Sequence, residues 1–283
     1  MLLANFNSRI FISWRLHSLA LGLLVLVACS SANRPDATET LPVDELFQEA
    51  HASMLGGNHD RSARYFKRLI ARFPFGDFTE QAELELAYSQ YKNHDPEEAF
   101  STINRFIRTY PTHSSIDYAY YLRGLINFDR ESGILDRYIK KDSSRRDLVH
   151  ARQSFQDFAE LIQRFPNSRY AADSRQRMLH IRNGLAQSEL NTAAYYFRRK
   201  AYIAAQTRAK YILETYPQAP QNADALAIMA ESYQQLGESK LAEDVIQVLK
   251  LNYPNHPYLS GGWPARRNLW WQLVPFIGEK RAG

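Results

Sequence analysis

A chain of 283 residues with 45 % hydrophobic and 23 % charged side chains is long enough for one or two substantial domains. Twelve glycines and twelve prolines are too few for extensive disorder, or for an all-β fold built on many tight turns. The formal charge of +5 includes Arg9 and Arg15 at the N-terminus, and no concentrated basic run follows, which excludes nucleic acid as the expected partner.

Those two arginines precede the apolar run Leu19–Ala28, LALGLLVLVA, which ends directly at Cys29. A basic start, an apolar core of about ten residues and small residues before a cut site describe a secretory signal peptide over 1–28. The run falls short of the ~20 apolar residues that a transmembrane helix needs. Leu26-Val27-Ala28-Cys29 resembles the bacterial lipobox, whose cysteine is lipidated and becomes the first residue of the mature chain. An ordinary signal peptide followed by a chance cysteine is the alternative. Cys29 is the chain's one cysteine, so no intramolecular disulfide can form. Residues 29–42 are polar and aperiodic and read as a lipidated, flexible tether.

Beyond the tether the chain repeats. Aromatic–proline pairs stand at Phe73-Pro74, Tyr110-Pro111, Phe165-Pro166, Tyr216-Pro217 and Tyr253-Pro254. Twelve residues before each proline comes a small residue: Ser62, Ala99, Ser154, Ala205 and Ala242. Five residues before it are Leu69, Phe106, Leu161, Ile212 and Leu249. A second small position recurs at Ala50, Ala87, Gly124, Ala193 and Ala230, and adjacent regular units are 37 residues apart. The stretch Ala82–Pro111 shows the unit. Leu84, Ala87 and Tyr91 share one helical face. Asp95 then offers an N-cap, Pro96 a first helical position and Glu98 a capping-box partner. Ala99, Ile103, Phe106 and Tyr110 form the apolar face of a second helix that Pro111 stops.

This pattern resembles the tetratricopeptide repeat, most closely in Met229-Ala230, Tyr233, Ala242, Ile246 and Pro254. The fold expected is all-α, a right-handed α-solenoid of five helix pairs with an extended concave surface. Repeats one to three occupy 43–169. In the third, the small positions Gly124 and Ser154 are thirty residues apart, so about eighteen residues, Ser132–Val149, are inserted as a solvated loop or a partner contact. Residues 170–255 hold repeats four and five, entered through a long or two-part helix over Tyr170–Arg199. The tail, 256–283, carries Trp263, Trp270, Trp271 and Phe276, which read as a cap folding back on the last repeat or as an anchor for a partner or membrane surface.

No catalytic or metal chemistry is legible. The eight histidines are scattered, no phosphate-binding or dinucleotide fingerprint occurs, and the acidic pairs Glu83/Glu85 and Glu97-Glu98 read as exposed, solvated charge. The repeats leave no room for a catalytic domain of the kind that accompanies an α-superhelix in some lytic transglycosylases. The expectation is a binding protein, not an enzyme, with no cofactor.

Several segments are more specific than the repeat. Phe73-Pro74-Phe75-Gly76, Tyr88, Tyr91-Lys92, Arg105-Phe106-Ile107-Arg108, Pro111-Thr112-His113, Ile116-Asp117-Tyr118, Tyr121, Arg123-Gly124-Leu125, Arg146-Asp147 and Phe165-Pro166-Asn167-Ser168 occur together. Over residues 29–250 they closely resemble the BamD family, the repeat lipoproteins of the complex that assembles β-barrel proteins into the bacterial outer membrane (the BAM complex). The resemblance implies a scaffold held by Cys29 on the periplasmic face of the outer membrane. Its implied partners are the POTRA domains of the barrel-forming BamA-like subunit, the other BAM lipoproteins, and the C-terminal aromatic signal of unfolded client proteins. Phe75, Tyr88, Tyr91, Tyr118 and Tyr121, with Arg123 for charge, are the implied client-signal residues. Arg199, with Tyr196 and Tyr202, matches the family's POTRA-contacting turn. A repeat lipoprotein that recruits peptidoglycan enzymes is the alternative.

Overall fold

The computed structural model describes residues 37–130 and 148–261. Ten α-helices cover most of these residues: α1 (Val43–Leu55), α2 (His59–Arg72), α3 (Asp77–Lys92), α4 (Pro96–Thr109), α5 (Ile116–Asp129), α6 (Val149–Arg164), α7 (Ala171–Arg198), α8 (Tyr202–Thr215), α9 (Asn222–Gln235) and α10 (Ser239–Asn252). No described residue is in a strand. Each helix packs on the next, and the first helices of neighbouring pairs also touch: α1 on α3, α3 on α5, α7 on α9. The product is the stack of five pairs that the periodicity predicts.

The two small positions explain the pairing. Ser62, Ala99, Ser154 and Ala205, like Ala50, Ala87, Ala193 and Ala230, have no exposed surface, and Ala242 almost none. Nor do Leu69, Phe106, Leu161, Ile212 and Leu249, the large residues that complete each second helix. Helix backbones approach closely where side chains are small, and the larger residue one turn or two away fills the remaining space. The third pair shows how little space is left. A Cβ on Gly124 would come within 2.5 Å of the Phe158 ring, and Ser154 Oγ donates to the Gly124 carbonyl at 2.9 Å.

Each second helix stops in the same way. Phe73, Tyr110, Phe165, Tyr216 and Tyr253 sit at φ between −122° and −138° and ψ between 59° and 79°. The following proline drives the preceding residue out of the helical region. The aromatic N–H still donates to the carbonyl four residues back, at 2.7–2.9 Å. The turns inside the pairs share another device. Gly57, His94, Lys200 and Gly237 have φ of 79°, 63°, 60° and 82°, and the residue after each donates to the carbonyl five residues before it. This left-handed closure is favoured by glycine, because a Cβ there crowds the backbone.

Two local expectations are corrected. Glu98 does not close a capping box: its carboxylate accepts from Lys67 Nζ at 2.5 Å and Gln90 Nε2 at 3.0 Å, which ties α4 to α2 and α3. Glu83 and Glu85 are not solvated, with only 7 % and 8 % of their surface exposed. Helix α3 is enclosed by α1, α2, α4 and α5, so even its polar positions are covered. Glu83 pairs with Arg105 at 3.3 Å, and Glu85 meets His51 at 2.7 Å and Gln81 at 2.8 Å.

Within the stretch Tyr170–Arg199 the chain forms one continuous helix, Ala171–Arg198, of 28 residues, not two. Among the described residues no helix is long and apolar enough to cross a membrane. The leader, Cys29, the first residues of the tether, all of the insertion except Leu148 and Val149, and the tail tryptophans lie outside the described residues. The first residues of the 256–283 tail are described: Tyr258 and Leu259 pack on the core between α9 and α10, and His256 meets Asp224 at 3.2 Å.

Gly124→Ala is expected to destabilise the chain by about 1–3 kcal/mol, the usual cost of overpacking. Thermal unfolding followed by circular dichroism checks this, with Gly184→Ala, where a Cβ meets nothing within 4 Å, as the tolerated comparison.

Candidate functional site

Four of the sequence-selected tyrosines come together. Tyr88 and Tyr91 on α3 and Tyr118 and Tyr121 on α5 are partly buried around one core, joined by Tyr170 at the entry to α7. The Tyr121 and Tyr170 rings stack, with centroids 4.7 Å apart and planes inclined by 15°. Tyr118 leans on Tyr170 at 5.4 Å, and Tyr88 meets the edge of His59 at 6.1 Å.

The motifs that flank the repeats hold this group in place. Ser168 Oγ donates to Asp117 Oδ2 at 2.7 Å across two inter-repeat links. The Tyr170 N–H donates to Ser168 Oγ at 3.2 Å, and Asp117 Oδ1 accepts from the Tyr118 N–H at 2.8 Å. The Ile116-Asp117-Tyr118 and Pro166-Asn167-Ser168 segments thus bond to each other and fix Tyr118 and Tyr170 as neighbours. His113 serves the same corner, accepting the Ser115 N–H at 3.0 Å with its ring edge-on to Phe106 at 5.2 Å.

Two hydroxyls are anchored on carboxylates. Tyr91 donates to Asp129, and Tyr121 donates to Asp173 at 2.7 Å. Burial first, and then the Asp129 contact, pushes the Tyr91 phenol far above its ordinary value. Burial, followed by the neighbouring phenols of Tyr88, Tyr170, Tyr121 and Tyr91, does the same for Tyr118. Tyr91 and Tyr118 therefore stay neutral through the physiological range. At Asp173 burial opposes the charge, but hydrogen bonds from Tyr121 and Arg177 outweigh it and hold the carboxyl below its usual value. Arg177 Nε donates to Asp173 at 2.6 Å while its guanidinium lies 5.2 Å over Phe128.

Two predicted members stand elsewhere. Phe75 is 90 % exposed in the link before α3, thirteen residues from Tyr88, and the helical stretch from Asp77 to Tyr88 alone rises about 16 Å at 1.5 Å per residue. Arg123 lies on the opposite face of α5. Its guanidinium is 3.0 Å from Asp157 and 2.5 Å from Glu160 and stacks 4.9 Å over Tyr120. It lines a cavity of about 220 Å³ with Phe100, Asn104, Gln153 and Gln156. Two residues along a helix turn a side chain through about 200°, so Arg123 cannot share a face with Tyr121. The cation beside the tyrosines is Arg177.

The second predicted surface is the turn between α7 and α8. Arg199 caps α7, is exposed, and lies 5.5 Å over the Tyr195 ring. Among the described residues it forms no ion pair. Tyr196 packs against Tyr195 at 5.7 Å, and Tyr202 against Phe197 at 5.5 Å. The left-handed Lys200 closes the turn, its N–H donating to Phe197 O at 2.9 Å. Arg199 is thereby presented on a rigid aromatic base.

The YfiO family model, described as an outer membrane lipoprotein, matches residues 39–249. The chain is 46 % identical over 259 residues to the outer membrane protein assembly factor BamD of Xylella fastidiosa, covering 92 % of this chain and 89 % of that one. The chain belongs to the BamD family. The same-named proteins of Neisseria meningitidis serogroup A and Vibrio cholerae are 38 % and 37 % identical, covering 88 % and 82 % of this chain and 95 % of each relative. Relatives named as assembly factors agree with a scaffold and not an enzyme. The family match begins at 39 and ends at 249, so Cys29 and the tail both fall outside it.

Sequence reasoning missed Tyr170 as a site residue, together with Asp129, Asp173 and Arg177. Tyr170, Asp173 and Arg177 are spaced three and four apart, which puts them on one face of α7, and that spacing was available. That the face lies against Tyr121 is a tertiary fact.

Arg123→Leu is expected to lower stability by about 3 kcal/mol, because it leaves the Asp157 carboxylate buried without its cation; urea unfolding measures this. Lys200→Gly is expected to raise stability by about 1 kcal/mol through relief of the left-handed backbone, seen as a higher Tm.

Proposed function

We propose that this protein is a lipid-anchored scaffold of the outer-membrane β-barrel assembly machinery. In this reading Cys29 carries the acyl anchor, and the repeats hang on the periplasmic face of the outer membrane. The observation that carries the proposal is 46 % identity, over nine-tenths of both chains, to a protein named as an outer membrane protein assembly factor.

The finer assignments rest on the two surfaces. The client site is the tyrosine group, Tyr88, Tyr91, Tyr118, Tyr121 and Tyr170, which receives the aromatic C-terminal segment of an unfolded barrel protein; Arg177 and not Arg123 is the neighbouring cation. Rigid, partly buried tyrosines offer apolar area at low entropic cost, which suits an extended peptide with alternating aromatics. The partner site is the Arg199 turn, with Tyr196 and Tyr202, which docks an acidic surface of the barrel subunit's POTRA domains. An exposed guanidinium stacked on tyrosine is pre-oriented for bidentate pairing with a carboxylate. Other lipoproteins of the complex complete the assembly.

In a pull-down of the chain from Ser30 onward with the POTRA domains of its own barrel subunit, wild type should bind and Arg199→Leu should bind at least thirtyfold more weakly, as expected for loss of a hydrogen-bonded interfacial charge. Absence of wild-type binding would sink the partner assignment, and capture of peptidoglycan enzymes instead would favour the alternative scaffold. For the client site, Tyr88→Ser and Tyr121→Ser should weaken binding of a peptide ending in phenylalanine by about tenfold in fluorescence anisotropy. Arg199→Leu, folded and remote, should leave that affinity unchanged.

A further inference from the structure

Helix α10 departs from the other second helices on its exposed side. Leu241, Val248 and Leu251 stand thirteen, six and three residues before Pro254. They share one helical face and are 44 %, 45 % and 82 % exposed. None of the twelve residues at the same distances before the prolines that follow α2, α4, α6 and α8 is a large aliphatic; at the Val248 position stand Arg68, Arg105, Glu160 and Tyr211. The edge that a sixth pair would pack on has changed in the opposite sense. Four residues before their prolines, Ile70, Ile107, Ile162 and Leu213 pack into the cores, whereas α10 carries Lys250 there. The stack therefore stops at α10, yet the outward face of this terminal helix is apolar where a plain cap would be polar.

The chain that follows α10 supplies the cover. It stays on the same pair: Tyr258 and Leu259 pack on the cluster that contains Leu249, Tyr258 Oη donates to Glu231 at 3.4 Å, and Gly261, left-handed at φ 71°, closes the 3₁₀ turn Pro257–Ser260. At least twenty-two residues come after Gly261, among them Trp263, Trp270 and Trp271 with Leu269, Leu273 and Val274. Even at the 1.5 Å rise of a helix they extend about 33 Å, more than the about 21 Å of α10. A segment joined this closely to its site meets it at a roughly millimolar effective concentration. The charges of α10 do not favour a charged partner instead, because Lys240 and Lys250 offset Glu243 and Asp244. The strip selects for apolar surface.

We infer that residues 262–283 fold back along α10 and cover Leu241, Val248 and Leu251 with their tryptophan side chains. The strip is thus an intramolecular docking site, and the tail seals the C-terminal end of the solenoid from its outward face, without adding a sixth pair. Of the two readings of the tail, this selects the cap over the anchor for a partner or membrane surface. Nothing in it depends on acylation of Cys29 or on the two proposed binding surfaces.

Trp14 lies in the leader, so in the chain from Ser30 onward tryptophan occurs only in this tail, and its fluorescence reports on residues 262–283 alone. Compared with a synthetic peptide of residues 262–283, the chain should emit further to the blue and be quenched several-fold less by acrylamide. Leu241→Glu combined with Val248→Glu should return both readings to those of the peptide, with the circular dichroism spectrum unchanged. Leu251→Glu alone should give part of that change, and Leu55→Glu, at an exposed site on α1, none of it. Peptide-like emission from the wild type, or a blue shift that survives the double variant, would overturn the site. So would a shift that fades on dilution as a dimer dissociates in sedimentation, which gives the strip to a second copy of the chain. Loss of POTRA binding by the double variant, with the wild-type tail in water, would give it to the barrel subunit instead.

Discussion

Everything in this molecule depends on how closely two helices can approach at a pair of small residues. Where Ala87 meets Ala99, or Gly124 meets Ser154, there is no room for a branched side chain, and the adjoining leucine, isoleucine or phenylalanine seals the contact. One such pair cannot bury its outer face. It acquires a core only when the next pair stacks on it. That requirement encloses α3 on four sides and carries Glu83 and Glu85 into the interior, where each needs a basic or hydrogen-bonding partner. The aromatic–proline stop then sets the length of every second helix, so successive pairs enter the stack in register.

The long helix α7 gives the stack a second property. Its 28 residues extend about 42 Å. Near its first turn lie Asp173 and Arg177, which hold Tyr121; at its last residue the chain turns through Arg199. Both proposed binding surfaces are therefore attached to one rigid rod, which also forms the first helix of the fourth pair. An ordinary repeat length here would have shortened the rod and brought the two surfaces together. The extra turns set their separation by covalent geometry, independently of side-chain packing.

The repeat was legible because its signals are local. A proline, an aromatic before it and a small residue twelve back are sequence facts that translate directly into a helix end and a helix contact. The tyrosine group was legible in part: Tyr88, Tyr91, Tyr118 and Tyr121 were selected, and the fold brings them together. Tyr170 was passed over because it sits in a link, where periodicity says nothing. Arg123 was misplaced because its nearness to Tyr121 along the chain hides a half-turn of helix between them. The Glu83/Glu85 pair was misread because burial on a helix enclosed from four directions does not follow the amphipathic rule. In each case the missing information was which face met which neighbour.

The use of tyrosine where phenylalanine would fill the same space bears on how the proposed client groove could work. The Tyr91 and Tyr121 hydroxyls are already engaged by Asp129 and Asp173, so they are not the groups left to contact a ligand. Their role is to lock ring orientation: a phenol held on a carboxylate cannot swing as a phenylalanine could. What is left for a ligand is ring surface, and a ring face or edge accepts another aromatic without demanding a particular sequence. Hydroxyl-directed recognition would discriminate between clients by hydrogen-bond pattern. Ring-directed recognition, with the hydroxyls committed inward, admits any extended segment that brings aromatics at the right spacing, which is what a machinery serving many barrel sequences requires.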